Sequence, residues 1–235
     1  MKLRKDESSV IGPPFNPSDQ EGAISRRTLL KVGVGGGLLI GIGSKLIPFS
    51  QAMEEAQSEY ALIIDLNKCT GCGACAQACN KRNNLPEGKS FIRRIRKEEQ
   101  VQGGCWCLPV QCQHCQDAPC AKVCPASATY HHPSGVVLVN EKMCVGCKYC
   151  AVACPYDARI YDENTGVMDK CWLCLDWVLG GGQPACVQAC VTGARIFGRQ
   201  DDAEILELLA SGRAQPLHPE FGTEPGVLRY IFRES

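Results

Sequence analysis

Four groups of four cysteines carry the chemistry open to this sequence. Cys69, Cys72, Cys75 and Cys79 form the first, and Cys112, Cys115, Cys120 and Cys124 the second. Cys144, Cys147, Cys150 and Cys154 form the third, and Cys171, Cys174, Cys186 and Cys190 the fourth. Thiolates at two-residue gaps are soft metal ligands. One such pair alone reads equally as a zinc ligand pair or a redox dithiol. A disulfide framework is the bland reading of so many cysteines, but these spacings argue against it.

The first and third groups follow the run C-x2-C-x2-C-x3-C of bacterial ferredoxins, in which three thiolates hold one [4Fe–4S] cube. Two intervening residues let the chain curl round a cube corner. Gly71, Gly73, Ala74 and Gly146 are small enough for backbone N–H groups to point at sulfur. The fourth cysteine of such a run reaches the neighbouring cluster, so the groups work in pairs. Sixteen thiols imply four cubes. Cys105 and Cys107 fall outside this count and read as two semi-buried thiols packed beside the second group. The alternative for them is a redox-sensitive or substitute ligand pair.

The remaining composition fits this reading. Lys and Arg total 25, as do Asp and Glu, so there is no basic field for nucleic acid. With 18 of 235 residues being cysteine, the ordinary apolar core is small if the thiols are ligands, and bound metal can supply folding energy.

Residues 1–52 read as an export segment. Ser25–Lys31, S-R-R-T-L-L-K, resembles the twin-arginine signal S/T-R-R-x-F-L-K, with Leu29 where Phe is common. The Gly-rich apolar run Val32–Ile42 is too short to span a bilayer, and Ser50-Gln51-Ala52 offers a cleavage site after Ala52. No later segment reads as a membrane span or an anchor. Twin-arginine export carries folded cargo. That suits thiols metallated inside the cell, which would scramble into disulfides if exported bare.

Short β-type runs flank the cysteines: Tyr60–Leu66, Phe91–Arg96, Val136–Val139, Arg159–Tyr161, Val167–Met168 and Arg195–Gly198. Pro133-Ser134-Gly135 and Asn164-Thr165-Gly166 supply hairpin turns. Each quarter reads strand, cysteine loop, short helix, strand, an internal repeat of ferredoxin half-modules. Asp201–Ala210 reads as an ordinary helix ended by Gly212. The fold class is α+β.

Four stretches carry a family resemblance: C-T-G-C-G-A-C-Q-A-C-N, C-Q-H-C-Q-D-A-P-C-A-K-V-C-P, C-V-G-C-K-Y-C-A-V-A-C-P-Y-D-A-R and Q-P-A-C-V-Q-A-C. From about Tyr60 to Tyr230 the chain resembles the four-cluster iron–sulfur (beta) subunits of the dimethyl sulfoxide reductase family. Exported polysulfide, tetrathionate and formate-dependent nitrite reductase subunits are the nearest kind. The resemblance implies two nested ferredoxin-like dicluster modules after the signal segment. Residues 53–100 and 170–200 would form one module, 101–169 the other, and 201–235 a C-terminal helix and tail.

It also implies ligand sets for four [4Fe–4S] clusters: Cys69, Cys72, Cys75 and Cys190; Cys171, Cys174, Cys186 and Cys79; Cys144, Cys147, Cys150 and Cys124; Cys112, Cys115, Cys120 and Cys154. The first set would face a molybdopterin catalytic subunit, and the Cys112 set an integral membrane quinol-interacting subunit. The chain would be periplasmic, held at the membrane by those partners after passage through the twin-arginine machinery. Two departures stand out. Val191 follows Cys190 where Pro is usual, which should loosen that turn. The third group keeps all four cysteines, so no three-iron cluster is expected.

Lys148 could raise one cluster potential or be a solvated lysine. His114 reads as a packed or exposed histidine; the alternatives are a donor to sulfur or a residue near the quinol interface. Trp172 and Trp177 read as packing or interface residues. No nucleophile–base set, phosphate loop or carboxylate pair is evident, so substrate chemistry is expected in partner subunits. The other functional readings are an electron-transfer subunit of a hydrogenase or a cytochrome-fed quinone-reducing complex, and a free polyferredoxin.

Overall fold

The computed structural model describes residues 59–98 and 105–233, all within the unit spanning residues 55–235. Residues 1–52, expected to be an export segment, lie outside the described residues.

Strand β1 (Tyr60–Asp65) is buried along its whole length because both faces are covered. Leu62 and Ile64 join the main core, whereas Ala61 and Ile63 join a smaller cluster with Ile205 and Ile231. A strand with two dry faces needs apolar residues at consecutive positions, and Y-A-L-I-I supplies them. Strand β1 pairs antiparallel with β8 (Arg195–Arg199) and parallel with β9 (Leu228–Ile231). The strand at Leu228–Ile231 had no place in the sequence reading, which stopped at a tail. Helix α6 (Ala203–Ala210) covers the second face through Ile205.

Three hairpins complete the β-structure: β2 (Arg93–Glu98) with β3 (Cys105–Val110), β4 (Thr129–His131) with β5 (Val137–Val139), and β6 (Arg159–Asp162) with β7 (Val167–Lys170). The turn residues act as expected. Gly135 and Gly166 take positive φ, and Asp162 Oδ1 accepts from the Asn164 N–H at 2.8 Å.

Five short helices carry or follow the cysteines: α1 (Ala74–Arg82), α2 (Pro119–Lys122), α3 (Tyr149–Val152), α4 (Leu175–Leu179) and α5 (Ala185–Gln188). Three of them are single turns. Pro125 and Pro155 follow the fourth cysteines of groups two and three, where helix cannot continue. Asn80 follows Cys79 instead, and α1 runs on to Arg82. After Cys190 the expected loosening does not occur. The Gly193 N–H bonds the Cys190 carbonyl at 3.2 Å, as Ser127 and Asp157 bond Cys124 and Cys154 at 3.1 Å. Gly193 takes the left-handed conformation there without strain, so this turn needs no Pro.

The C-terminal segment ties the cysteine groups to the sheet. The Gln116 N–H bonds the Glu224 carbonyl at 2.8 Å, and the buried Tyr230 hydroxyl donates to the Pro109 carbonyl at 3.1 Å. No helix among the described residues is long and apolar enough to cross a membrane.

Candidate metal centre

Four small pockets are lined by cysteines, four in each of three pockets and five, counting Cys107, in the Cys69 pocket. Cys69, Cys72 and Cys75, around the start of α1, meet Cys190 after α5. Cys79 of α1 meets Cys171, Cys174 and Cys186. Cys112, Cys115 and Cys120 meet Cys154. Cys144, Cys147 and Cys150 meet Cys124. Each ring takes three thiols from one group and one from another, because the fourth cysteine sits a helical step away from the first three. All sixteen are unbridged, which is not the bonding of a disulfide scaffold. Among the described residues no three Cys, His, Asp or Glu side chains converge on one metal ion. The thiols stand around spaces instead, as ligands of a multi-atom cluster must.

The backbone repeats with the thiols. The residue just before the second cysteine of each group has positive φ: Gly71 (69°), His114 (49°), Gly146 (67°) and Leu173 (61°). That conformation turns successive N–H groups inward, a concavity suited to anions. Glycine announced it at Gly71 and Gly146. His114 and Leu173 carry no such signal and were missed. Backbone donors reach sulfur directly: the Ala128 N–H lies 3.2 Å from Cys124 Sγ, and the Met168 N–H 3.5 Å from Cys144 Sγ.

Electrostatics divides the thiols. Burial pushes Cys79 and Cys115 up to about 12, and sulfurs of the same ring add to this. Cys171 is driven well above the usual thiol range by burial, then by Cys79, Cys186 and Cys112. Cys124 and Cys190 go the other way. Burial opposes their ionisation, but backbone N–H groups around each outweigh it, helped at Cys190 by the Thr192 hydroxyl. Among the described residues four buried guanidinium nitrogens find no hydrogen-bond partner, and two of them, Arg159 Nη2 and Arg195 Nη2, belong to residues that line cysteine-ringed cavities. Unpartnered cationic donors beside sulfur-lined spaces fit an anionic cluster and do not fit an empty hydrophobic pocket.

The series of cavities corrects one expectation. Cys186 feels Cys75, Cys171 feels Cys112, and Cys150 feels Cys120. The order is therefore the Cys69, Cys171, Cys112 and Cys144 rings. The Cys112 ring, expected at the membrane-facing end, is internal, and the Cys144 ring is terminal. The two groups of the second module exchange fourth cysteines symmetrically, so sequence spacing alone could not tell their order.

Other residues sort as follows. His114 is fully buried, and its Nδ1 accepts from the Val137 N–H at 3.2 Å, so it does not lie at a surface interface. Lys148 is exposed, with its ammonium 3.8 Å from the Tyr161 ring centroid. Arg82 lies over Trp177 at 4.1 Å and Trp172 at 5.7 Å, and pairs with Asp176. Cys107 borders the Cys69 cavity against Gly71, beside the first group and not the second. The side chain of Cys105 lies outside the described residues.

Comparison with known proteins now bears on the site. Residues 105–200 match a 4Fe-4S dicluster domain and residues 60–81 a 4Fe-4S binding domain. A tetrathionate reductase subunit of Salmonella typhimurium is 38% identical over 214 residues, covering 86% of each chain. The chain belongs to the iron–sulfur subunits of the dimethyl sulfoxide reductase family. The thiosulfate reductase electron transfer subunit PhsB of Salmonella typhi is 43% identical over 158 residues, 65% of this chain and 82% of that one. Protein NrfC of Escherichia coli K12 is 40% identical over 186 residues, 74% of this chain and 81% of that one. As a member of this family the chain is an iron–sulfur electron-transfer subunit that binds [4Fe–4S] clusters.

Proposed function

We propose that the chain carries four [4Fe–4S] clusters and relays electrons between an integral membrane quinol-interacting subunit and a periplasmic molybdopterin catalytic subunit. The observation behind this is the unbroken series of four cysteine-ringed cavities. Each ring's four cysteines would be the ligands. A bound cube accepts and passes one electron at a time. The chain's own residues supply thiolates, backbone donors and a dry surround.

A relay needs ends that partners can approach. Of the sixteen grouped cysteines, Cys72 and Cys147 are the two exposed ones, and they belong to the two terminal rings. The Cys144 end also exposes apolar side chains, among them Val145 (69%) and Val152 (88%). This end is assigned to the membrane subunit and the Cys69 end to the catalytic subunit. The relatives' names, tetrathionate and thiosulfate reductase subunits, support a reductase complex. Residues 25–31 support export of the folded, cluster-loaded chain by the twin-arginine route.

The test is affinity purification of the native complex with metal analysis. Two co-purifying subunits, one of them containing molybdenum, are expected. A chain that emerges alone as a monomer would support the polyferredoxin reading instead.

A further inference from the structure

Three cations are buried between the cavities: Arg195 (5% exposed), Lys170 (1%) and Arg159 (7%). Arg195 lines the Cys69 cavity and donates through Nη1 to Cys186 Sγ of the next ring at 3.5 Å. Lys170 lines the Cys112 cavity and donates through Nζ to the carbonyl of Cys171, a residue of the Cys171 ring, at 2.9 Å. Arg159 also lines the Cys112 cavity, and donates through Nη1 at 3.1 Å to Thr129 Oγ1, which lines the Cys144 cavity. The four rings have three junctions, and each junction holds one cation.

A buried cation is ordinarily paired with a carboxylate. None of these three appears in an ion pair among the described residues. Their oxygen partners are neutral: Gln111 Oε1 for Arg195 at 2.9 Å, Thr129 Oγ1 for Arg159, and the carbonyls of Val137 and Cys171 for Lys170. The repeat places the arginines. Arg159 and Arg195 each follow a buried alanine at the same distance from the fourth cysteine of their group, in C-P-Y-D-A-R and C-V-T-G-A-R. Thr129 holds the equivalent position in C-P-A-S-A-T and serves Arg159 as a neutral acceptor.

We propose that Arg195, Lys170 and Arg159 are fixed counter-charges, one at each junction, and that each raises the reduction potentials of the two clusters beside it. The inference rests on the reading that every cavity holds a cluster. Reduction adds negative charge to a cluster, and a positive group buried next to it, poorly screened by water, favours that step. The two internal clusters each face two of these cations, and the two terminal clusters one each. These are positioning residues for charge and perform no chemistry.

The experiment uses the full chain, purified anaerobically with clusters loaded. Iron is counted, and potentials are read by redox titration followed by electron paramagnetic resonance. Arg195→Gln and Arg159→Gln keep hydrogen-bonding capacity without charge, whereas Arg195→Lys and Arg159→Lys keep the charge. Each Gln variant is expected to disfavour reduction of two clusters about tenfold, roughly 59 mV for one electron. The two variants should move different pairs of signals. The Lys variants should stay within about threefold of wild type. Gln variants that lose iron while Lys variants keep it would also support the proposal. Loss of iron in both, unmoved potentials, or equal shifts in all clusters would overturn it and leave a packing role. A wild-type chain without iron would instead sink the functional reading, and this inference with it.

Discussion

Arg159 and Lys170 stand directly opposite each other in the β6–β7 ladder, both buried and both positive. Like charges facing across a strand pair are destabilising, and burial without a carboxylate makes this worse. The hairpin is therefore built for a negative neighbour. Removing the clusters should leave an under-compensated pair. In the cluster-free chain, Lys170→Met should raise stability by about 1–2 kcal/mol, less whatever the two lost carbonyl bonds contribute. Thermal melting of the two apo chains measures this. A lower midpoint for the variant would show that the bonds from Lys170 to the Val137 and Cys171 carbonyls outweigh the cost of its charge.

Gly146 marks where the third cysteine group touches the β6–β7 turn. Its φ is +67°, and a Cβ there would run into the Gly166 carbonyl oxygen. Gly146→Ala should cost about 2 kcal/mol or more, since backbone strain and a backbone clash combine. The damage should concentrate on the Cys144 ring, with about four irons lost and the other rings retained. Metal analysis with chemical denaturation checks both halves.

Cluster loading should depend on pH in a defined direction. Burial holds Cys79 and Cys115 up to about 12, so in the folded, unloaded chain they keep their protons at neutral pH. Iron ligands are thiolates, and loading must expel those protons. Raising the pH from 6 to 8 should therefore slow iron loss to a chelator. Faster loss at pH 8 would contradict the burial argument.

Cys107 borders the Cys69 cavity without belonging to its ring of four. Cys107→Ser should leave the iron content unchanged, whereas Cys75→Ser should lower it by up to about four per chain. Iron loss in the first variant would make Cys107 a ligand.

The groups of thiols and most strands were legible because both obey short local rules. Two-residue cysteine gaps mark a curling loop, and Val, Ile and Tyr runs ended by Gly turns mark hairpins. Two local features escaped, strand β3 and the positive φ of His114 and Leu173, because neither carries a glycine or strand-pattern signal; the rest was long-range. Strand β9 is read as tail until β1 is seen to offer an open parallel edge. The order of the rings depends on how the two groups of the second module cross, which no spacing encodes. In sequence the arginines at 159 and 195 only open two β-type runs. Their burial, and the sulfur around them, show only in the structure.

Iron and acid-labile sulfide per anaerobically purified chain, together with dithionite bleaching of the visible absorbance, test the central claim most directly. About sixteen irons and as many sulfides, in a brown protein that bleaches reversibly, are expected for four cubes. A colourless chain with its cysteines joined to one another, or one with iron for a single cluster, would contradict it.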